Sequence, residues 1–372
     1  MKVGVLTYHF ANNYGASLQV YAMQRFLSAN GIDSDIIDFV SRKQNSNNSL
    51  FEYHNGVKSI IKNIIRLPHI CSRTTRIKKF QTFREKQIIL SRHHFNTLGD
   101  LDESIIRDYD LIIVGSDQVW NPRTPDFEDI YFKISQLNIP VIAYGASIGN
   151  AKIEDFYPYV SYVKRFRRIS VRENSTIGLL EQVDRAIVSI NVLDPTLLIS
   201  SEIYENLAEH IERKEKPYII CYYLGRKDYM KAIRTGEIMA SRLNKDIYYI
   251  NASNGLASYK RNMINNAGPE DFVSLIKNSD LVITNSFHAT AISIQLGVPF
   301  YNFEESGSSD NRKKDLLIRL GIQNRAFIDF EVDDNINLNN SDILAAKAKI
   351  PVLARDSKKF LQEIFNNIAI GK

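Results

Sequence analysis

The sequence predicts an α/β protein of two doubly wound, Rossmann-like halves facing a cleft, and three observations carry that prediction. The chain has 372 residues, beyond the roughly 250–300 at which a single hydrophobic core stops growing, so two domains are expected. Short apolar runs that stop at a glycine or a polar residue alternate with helical spacings along the whole chain, the pattern of parallel strands joined by crossover helices. The balance of 44% hydrophobic and 24% charged residues is that of an ordinary globular protein.

Val3–Thr7 reads as a buried strand, followed by the loop Tyr8–Tyr14 and a helix from about Gly15. Leu18, Ala22, Phe26 and Leu27 recur in that helix at helical spacing. Gly31 closes the unit and Ile36–Phe39 is the second strand, so the chain opens as a βαβ unit. Asp110–Gly115 and Pro140–Gly145 are further strands that stop at glycine. Arg168–Arg172 follows, then a helix over Asn174–Leu180, and Val192–Pro195 closes the first half. A second set runs through Tyr218–Leu224, Ile247–Ile250, Leu281–Thr284 and Phe300–Phe303. The polar stretch Ile199–Lys216 separates the two sets, which gives one domain over residues 1–200 and another over 201–350. The last helix, about Pro351–Ile368 within residues 351–372, is expected to pack back on the first domain.

Composition excludes several classes. Cys71 and Cys221 are too few for a disulfide framework, which fits a reducing compartment, and neither they nor the histidines show metal-ligand spacing. The net charge of +5, from 47 basic and 42 acidic residues, is too small to imply nucleic acid, and no nucleic-acid motif accompanies it. The opening MKVGVLTYHF lacks the pattern of a secretory signal, and no apolar run approaches the ~18 residues of a membrane span. A cytoplasmic protein is expected. Residues Val57–Arg92 are unlike the rest, with ten Lys or Arg against the single acid Glu85. Val57, Ile60, Ile61, Ile64 and Ile65 lie at helical spacing opposite Lys58, Lys62 and Arg66. Such a basic amphipathic helix either touches an anionic membrane surface peripherally or binds polyphosphate, or it covers its own domain and leaves a solvated basic face.

Ligands of open α/β sheets bind outside the carboxyl ends of the strands, so polar residues there are the candidates. His9, Asn12, Asn13, Tyr14 and Gly15 form a loop entering a helix, suited to anions or sugar hydroxyls; Asn12 or Asn13 is equally read as a helix cap. Ser116, Asp117, Trp120 and Asn121 follow the third strand and resemble a carbohydrate surface, or else a capped turn whose Trp120 fills core. Arg172 ends a strand and is either a bidentate partner for carboxylate or phosphate or one side of an ion pair with Glu173 or another acid. His288 lies in the first turn of the helix after Leu281–Thr284, where it can meet an anion or transfer a proton. Arg312, Lys313 and Lys314 follow the small-residue loop Gly307–Asn311 at a helix start, a position unfavourable to the helix dipole unless an anion compensates.

Taken together, YHFANNYGASLQ (8–19), VGSDQVWNP (114–122), YGASIG (144–149), ISVREN (169–174), VLDPTLL (192–198) and SDLVITNSFHATAISIQLGVPF (279–300) resemble the polysaccharide pyruvyl transferases. The resemblance covers most of the chain. It implies a GT-B-like pair of Rossmann-like domains, and transfer of a pyruvyl group from phosphoenolpyruvate to a sugar of a surface-polysaccharide precursor, forming a ketal. The acceptor is expected on the first domain and the donor on the second. The family's arginine falls on Arg172 and its histidine on His288, while a third cation, usually lysine, falls on Arg312 or Lys313. Donor binding is thus expected from Arg172, Ser286, His288, Ala289, Ser308, Ser309, Arg312 and Lys313. Catalytic roles are expected of His288, Arg172, Arg312 and Asp117, with His9 the other group that could take the hydroxyl proton. No cofactor beyond the co-substrate phosphoenolpyruvate is implied, and the acceptor expected is a lipid-linked oligosaccharide. A glycosyltransferase using a nucleotide sugar and a non-catalytic sugar- or phosphate-binding partner are the alternatives.

Overall fold

The computed structural model describes residues 1–48, 70–100, 107–209, 217–225, 229–250, 262–304, 311–328, 336 and 338–370. Two parallel sheets form among them. The first comprises β1 (Lys2–Leu6), β2 (Asp33–Phe39), β3 (Leu90–Phe95), β4 (Leu111–Val114), β5 (Val141–Ala146), β6 (Arg168–Val171) and β7 (Ser189–Asn191). The second comprises β8 (Tyr218–Tyr222), β9 (Asp246–Ile250), β10 (Met263–Ile264), β11 (Leu281–Thr284), β12 (Phe300–Glu304) and β13 (Ala326–Ile328). Their orders are β3-β2-β1-β4-β5-β6-β7 and β10-β9-β8-β11-β12-β13. Each order reverses once, between β1 and β4 and between β8 and β11. Those reversals are the switch points where a doubly wound sheet opens a crevice at its strand ends.

The helices Tyr14–Ala29 and Phe287–Leu296 follow β1 and β11, one strand of each switch-point pair, and pack against one another. Both are buried on nearly every face, as expected of helices enclosed between two sheets rather than lying on a surface. Asn13 caps the first, its Oδ1 accepting the Ala16 N–H at 3.2 Å; Ser286 caps the second, and Gly297 ends it at φ +68°. One apolar cluster runs through both halves, from Val5 and Leu18 to Phe272, Ile292 and Phe360. Tyr14 stacks on Phe272 at 4.5 Å and donates its hydroxyl to Ala267 O at 3.0 Å. It is therefore a core residue between the halves, and the expectation of a ligand-facing Tyr14 is corrected.

Val192–Pro195 is not a strand. The closing strand is β7, just before it, and Pro195–Leu197 is a 3-10 turn capped by Asp194. The C-terminal helix runs Ser341–Ile370 with Pro351 inside it, so Pro351 does not mark its start. Its later turns lie on the first sheet: Ser357 Oγ accepts the Leu193 N–H at 2.8 Å, and the Arg168 guanidinium sits over the Phe360 ring at 5.2 Å.

Of the basic segment, residues 57–69, with the proposed amphipathic spacing, lie outside the described residues. In the helix Ile70–Gln87 the cations divide. Lys78 and Lys86 are exposed, whereas Arg73 and Arg76 are buried. Arg76 covers the Tyr14 ring at 5.1 Å and donates to Asn12 O at 3.2 Å, and Lys79 pairs with Asp271 of the other half at 2.8 Å. No described helix is long and apolar enough to cross a membrane.

Candidate functional site

Asp194 is the point on which the site is built. Its side chain is fully buried, and a carboxylate there survives only with donors on every side. Oδ1 accepts the Thr196 N–H at 2.9 Å and the Thr196 hydroxyl at 2.6 Å. Oδ2 accepts the Ser116 hydroxyl at 3.2 Å and a close charge-assisted bond from Arg172 Nη1, and it lies 3.6 Å from His288 Nε2. Burial raises its pKa, but the Arg172 and His288 charges and the Thr196 bonds outweigh that and hold it far below the ordinary carboxylate range.

Arg172, at the end of β6, reaches from Asp194 to Asp117, with Nη2 3.1 Å from Asp117 Oδ1. Its guanidinium lies over the Phe287 ring at 5.1 Å. The ion-pair alternative for Arg172 thus holds in part, with Asp194 and Asp117 as partners and not Glu173. Arg312 Nη1 approaches the same Asp117 oxygen at 3.8 Å. With the Gln118 amide oxygen turned toward it, Gln118 accepts from Arg312 Nη1 and Nη2 at 2.9 and 2.7 Å. Burial raises the pKa of Asp117, and the charges of Arg172, His288 and Arg312 more than reverse it. Lys313 is turned elsewhere, its Nζ donating to Asn285 O at 2.8 Å; Arg312 is the cation that reaches the cluster.

His288 enters from the second half. A Cβ on Gly15 would lie 2.2 Å from its Nδ1, so the imidazole fits against the start of the first helix only because residue 15 is glycine. Two buried nitrogens of this cluster make no hydrogen bond, Arg172 Nε and His288 Nε2, and neither does the acceptor Glu173 Oε2 beside them. Each costs free energy while unmatched, and an oxygen-rich anion is the ligand that would satisfy the two nitrogens. The centre stands at both switch points, built from the ends of β4, β6 and β11. Next to it, Asp315 accepts the Asn174 N–H at 2.8 Å and Arg319 donates to Asn191 at 2.6 Å, tying the halves together.

The remaining candidates are placed as follows. Ser286 and Ala289 bond each other as the helix cap at 3.4 Å, and Ser308 and Ser309 lie outside the described residues. Trp120 is 0% exposed, stacked on Phe132 at 5.3 Å, with its N–H given to Tyr131 O. It fills core, which corrects the carbohydrate-surface expectation. Asn121 is buried as well, bonded to Asn150 and to the Arg123 N–H. Asn13 is the cap already described. His9 and Asn12 lie beside a separate pocket. Both ring nitrogens of His9 face oxygens, Asp38 Oδ1 at 2.9 Å and Thr7 O at 3.3 Å, so no lone pair is turned to a substrate hydroxyl in this arrangement.

Sequence reasoning missed Asp194, Gln118 and Glu173 as parts of this site. Glu173 is buried and holds the 147–148 turn by accepting from Ser147 Oγ at 2.7 Å and the Ile148 N–H at 3.2 Å. The available signal was position: all three occupy the strand-end motifs VGSDQ, SVRE and VLDP. Among the described residues, no group of three His, Cys, Asp or Glu is arranged to hold a metal.

A family model described as polysaccharide pyruvyl transferase matches residues 13–307. No curated protein matches the chain. Among solved structures, the chain is similar to UDP-GlcNAc 2-epimerase from Neisseria meningitidis bound to UDP-GlcNAc, with 12% identity and a TM-score of 0.52 over 98% of this chain and 100% of that one. It is also similar to the Methanocaldococcus jannaschii UDP-GlcNAc 2-epimerase in complex with UDP-GlcNAc and UDP, with 14% identity and a TM-score of 0.50 over 95% and 93%. Arabidopsis thaliana UGT89C1 complexed with UDP-L-rhamnose gives 10% identity and a TM-score of 0.50 over 99% and 98%. At such identities the likeness is one of fold, and the fold is GT-B-like.

Proposed function

The chain belongs to the polysaccharide pyruvyl transferase family, and from that premise we propose that it moves the pyruvyl group of phosphoenolpyruvate to a sugar of a surface-polysaccharide precursor, releasing phosphate. The observation that carries the proposal is the convergence of Arg172, Arg312 and His288 with two buried, unmatched nitrogens. Phosphoenolpyruvate brings a phosphate and a carboxylate, both suited to guanidinium forks. In this reading the two arginines exchange part of their contact with Asp117 for the donor's oxygens.

His288 then delivers a proton to the methylene carbon, which leaves an oxocarbenium-like centre at C2. A sugar hydroxyl adds to C2 and returns its proton to the His288 imidazole, the C2–O bond to phosphate breaks, and a second hydroxyl closes the ketal as its proton leaves with the departing phosphate. Asp194 keeps the imidazole and Arg172 in place throughout. Asp117, held between two guanidiniums with its pKa depressed, is a poor proton acceptor, which argues against it as the base.

Thermal denaturation with phosphoenolpyruvate and, separately, with UDP-GlcNAc tests the donor. A ligand at 100 times its Kd stabilises the native state by ~2.7 kcal/mol, so phosphoenolpyruvate is expected to raise the melting temperature and to lose that effect in Arg172→Ala. Stabilisation by UDP-GlcNAc alone would favour the nucleotide-sugar alternative.

A further inference from the structure

A second pocket, of about 470 Å³, lies beside the loop that leaves β1, on the β2–β3 side and away from the Arg172 centre. Its floor is an ordered charge group. Asp38 Oδ1 accepts from His9 and Oδ2 accepts from His94 Nδ1, each at 2.9 Å. Because that carboxylate is an acceptor only, His94 presents N–H to it through Nδ1, and Nε2 has no hydrogen-bond partner among the described residues. The His94 side chain is half exposed. Phe10 and Ile77 supply apolar wall, and Asn45 adds an amide at the rim.

Arg84 completes the pocket from the helix Ile70–Gln87. Burial lowers its pKa against the opposing fields of Glu85 and Asp38, and among the described residues neither carboxylate forms an ion pair with it. Among the described residues it makes two long bonds through Nη1, to Phe10 O at 3.3 Å and Asn12 Oδ1 at 3.4 Å. A partly desolvated guanidinium whose hydrogen bonds go only to neutral oxygens keeps N–H groups to offer an anion. The volume falls within the range of small-molecule sites. Beside the cation stand carboxylate, imidazole and amide groups that match hydroxyl edges, and an aromatic face that matches sugar C–H groups.

We propose that this pocket binds a glycosyl phosphate, the phosphate on Arg84 and the sugar hydroxyls on Asp38 and His94. The identification of that ligand as part of the acceptor rests on the transfer reading above. The pocket and the centre share one loop. His9 and Asn12 line the pocket, and three residues beyond Asn12 the same segment reaches Gly15 against His288. A phosphorylated glycan seated here would extend along that loop toward the Arg172 centre.

Calorimetric titration of the full chain, with phosphoenolpyruvate present in excess to occupy the Arg172 centre, tests the site. Glucose 1-phosphate is expected to bind at least tenfold more tightly than glucose or inorganic phosphate. Arg84→Gln should cut that affinity tenfold or more and His94→Ala severalfold, with phosphoenolpyruvate affinity unchanged in both. Glucose 1-phosphate binding that is absent, or unaltered by Arg84→Gln, overturns the proposal. If Arg84→Gln does not fold, the half-exposed His94 carries the test, and wild-type affinity in His94→Ala overturns it. Vesicles carrying a prenyl diphosphate-linked sugar form a second arm. Tighter binding to them than to glucose 1-phosphate identifies a lipid-linked source and equal binding a free one, and in either case loss of Arg84 dependence contradicts the site. Should phosphoenolpyruvate fail to bind while glucose 1-phosphate still tracks Arg84, the donor reading fails and the pocket stands.

Discussion

Asp194 and Glu173 are both buried carboxyl groups within the same centre, and their surroundings push them in opposite directions. For Asp194 the cationic neighbours outweigh burial, so its folded pKa lies below the unfolded value. Such a group contributes stability above its unfolded pKa of ~3.9, and that contribution is lost as pH falls toward the folded value. Glu173 is raised by burial, against the pull of Arg172, Arg312 and its hydroxyl donors. Its contribution is complete below the unfolded pKa and is lost as pH rises through the folded one. Asp194→Asn should therefore flatten the acid limb of stability against pH. It should also cost ~3–5 kcal/mol at neutral pH by leaving Arg172 short of a partner. Glu173→Gln should instead gain stability relative to wild type between pH 5 and 8. Chemical denaturation followed from pH 8 down through the unfolded carboxylate pKa of ~3.9 checks both signs. His288→Ala is expected to fold, and to lose turnover by about two to four orders of magnitude if it is the proton donor. His288→Gln, which donates a hydrogen bond but delivers no proton, should not recover it; near-complete rescue would leave His288 an orienting group only. Arg172 and His288 could be singled out by position, at a strand end and in a first helical turn, but for Arg172 position favoured a simple ion pair, and only the resemblance carried by SVRE and NSFHA joined the two in one site. Asp194 was not singled out, since an aspartate before proline reads as an ordinary cap.

The elements that escaped the sequence share one physical trait. β3, β7, β10 and β13 are the sheet edges, and an edge strand needs no continuous apolar run because one side faces no partner. β3 reads LSRHHF with three exposed residues in a row, and β7 is partly exposed throughout. The apolar Val192 and Leu193 drew the strand assignment past β7, though their burial comes from packing with the C-terminal helix. The central strands were legible for the converse reason: β4, β5, β8 and β11 are buried along their whole length. The start of the first helix was found, but not why it carries glycine. Gly15→Ala places a methyl group against the His288 ring. It should lower stability by ~1–3 kcal/mol, as overpacking does, and reduce turnover by more than that loss of folded protein explains. Activity per folded molecule equal to wild type would mean that the contact does not position His288.

At the scale of the whole molecule, the halves are joined at their switch points by helices Tyr14–Ala29 and Phe287–Leu296, by Tyr14 stacked on Phe272, and by the Asp315–Asn174 and Arg319–Asn191 bonds. This joint brings His288 and Arg312 from one half to Arg172, Asp117 and Asp194 from the other, and the donor chemistry proposed needs both sets at once. The sequence could place Arg172 and Asp117 at strand ends and His288 and Arg312 at helix starts, but not across a joint, because nothing in one segment encodes its distance from another. The most direct test of the transfer account is the product itself. The purified chain would be incubated with phosphoenolpyruvate and a panel of lipid-linked glycans, with glycan mass and free phosphate followed together. The account expects one glycan to gain the mass of a pyruvate less one water while one phosphate appears per glycan changed, and both signals to vanish in Arg172→Ala. Phosphate release without glycan modification, or modification that persists without phosphoenolpyruvate, would contradict it.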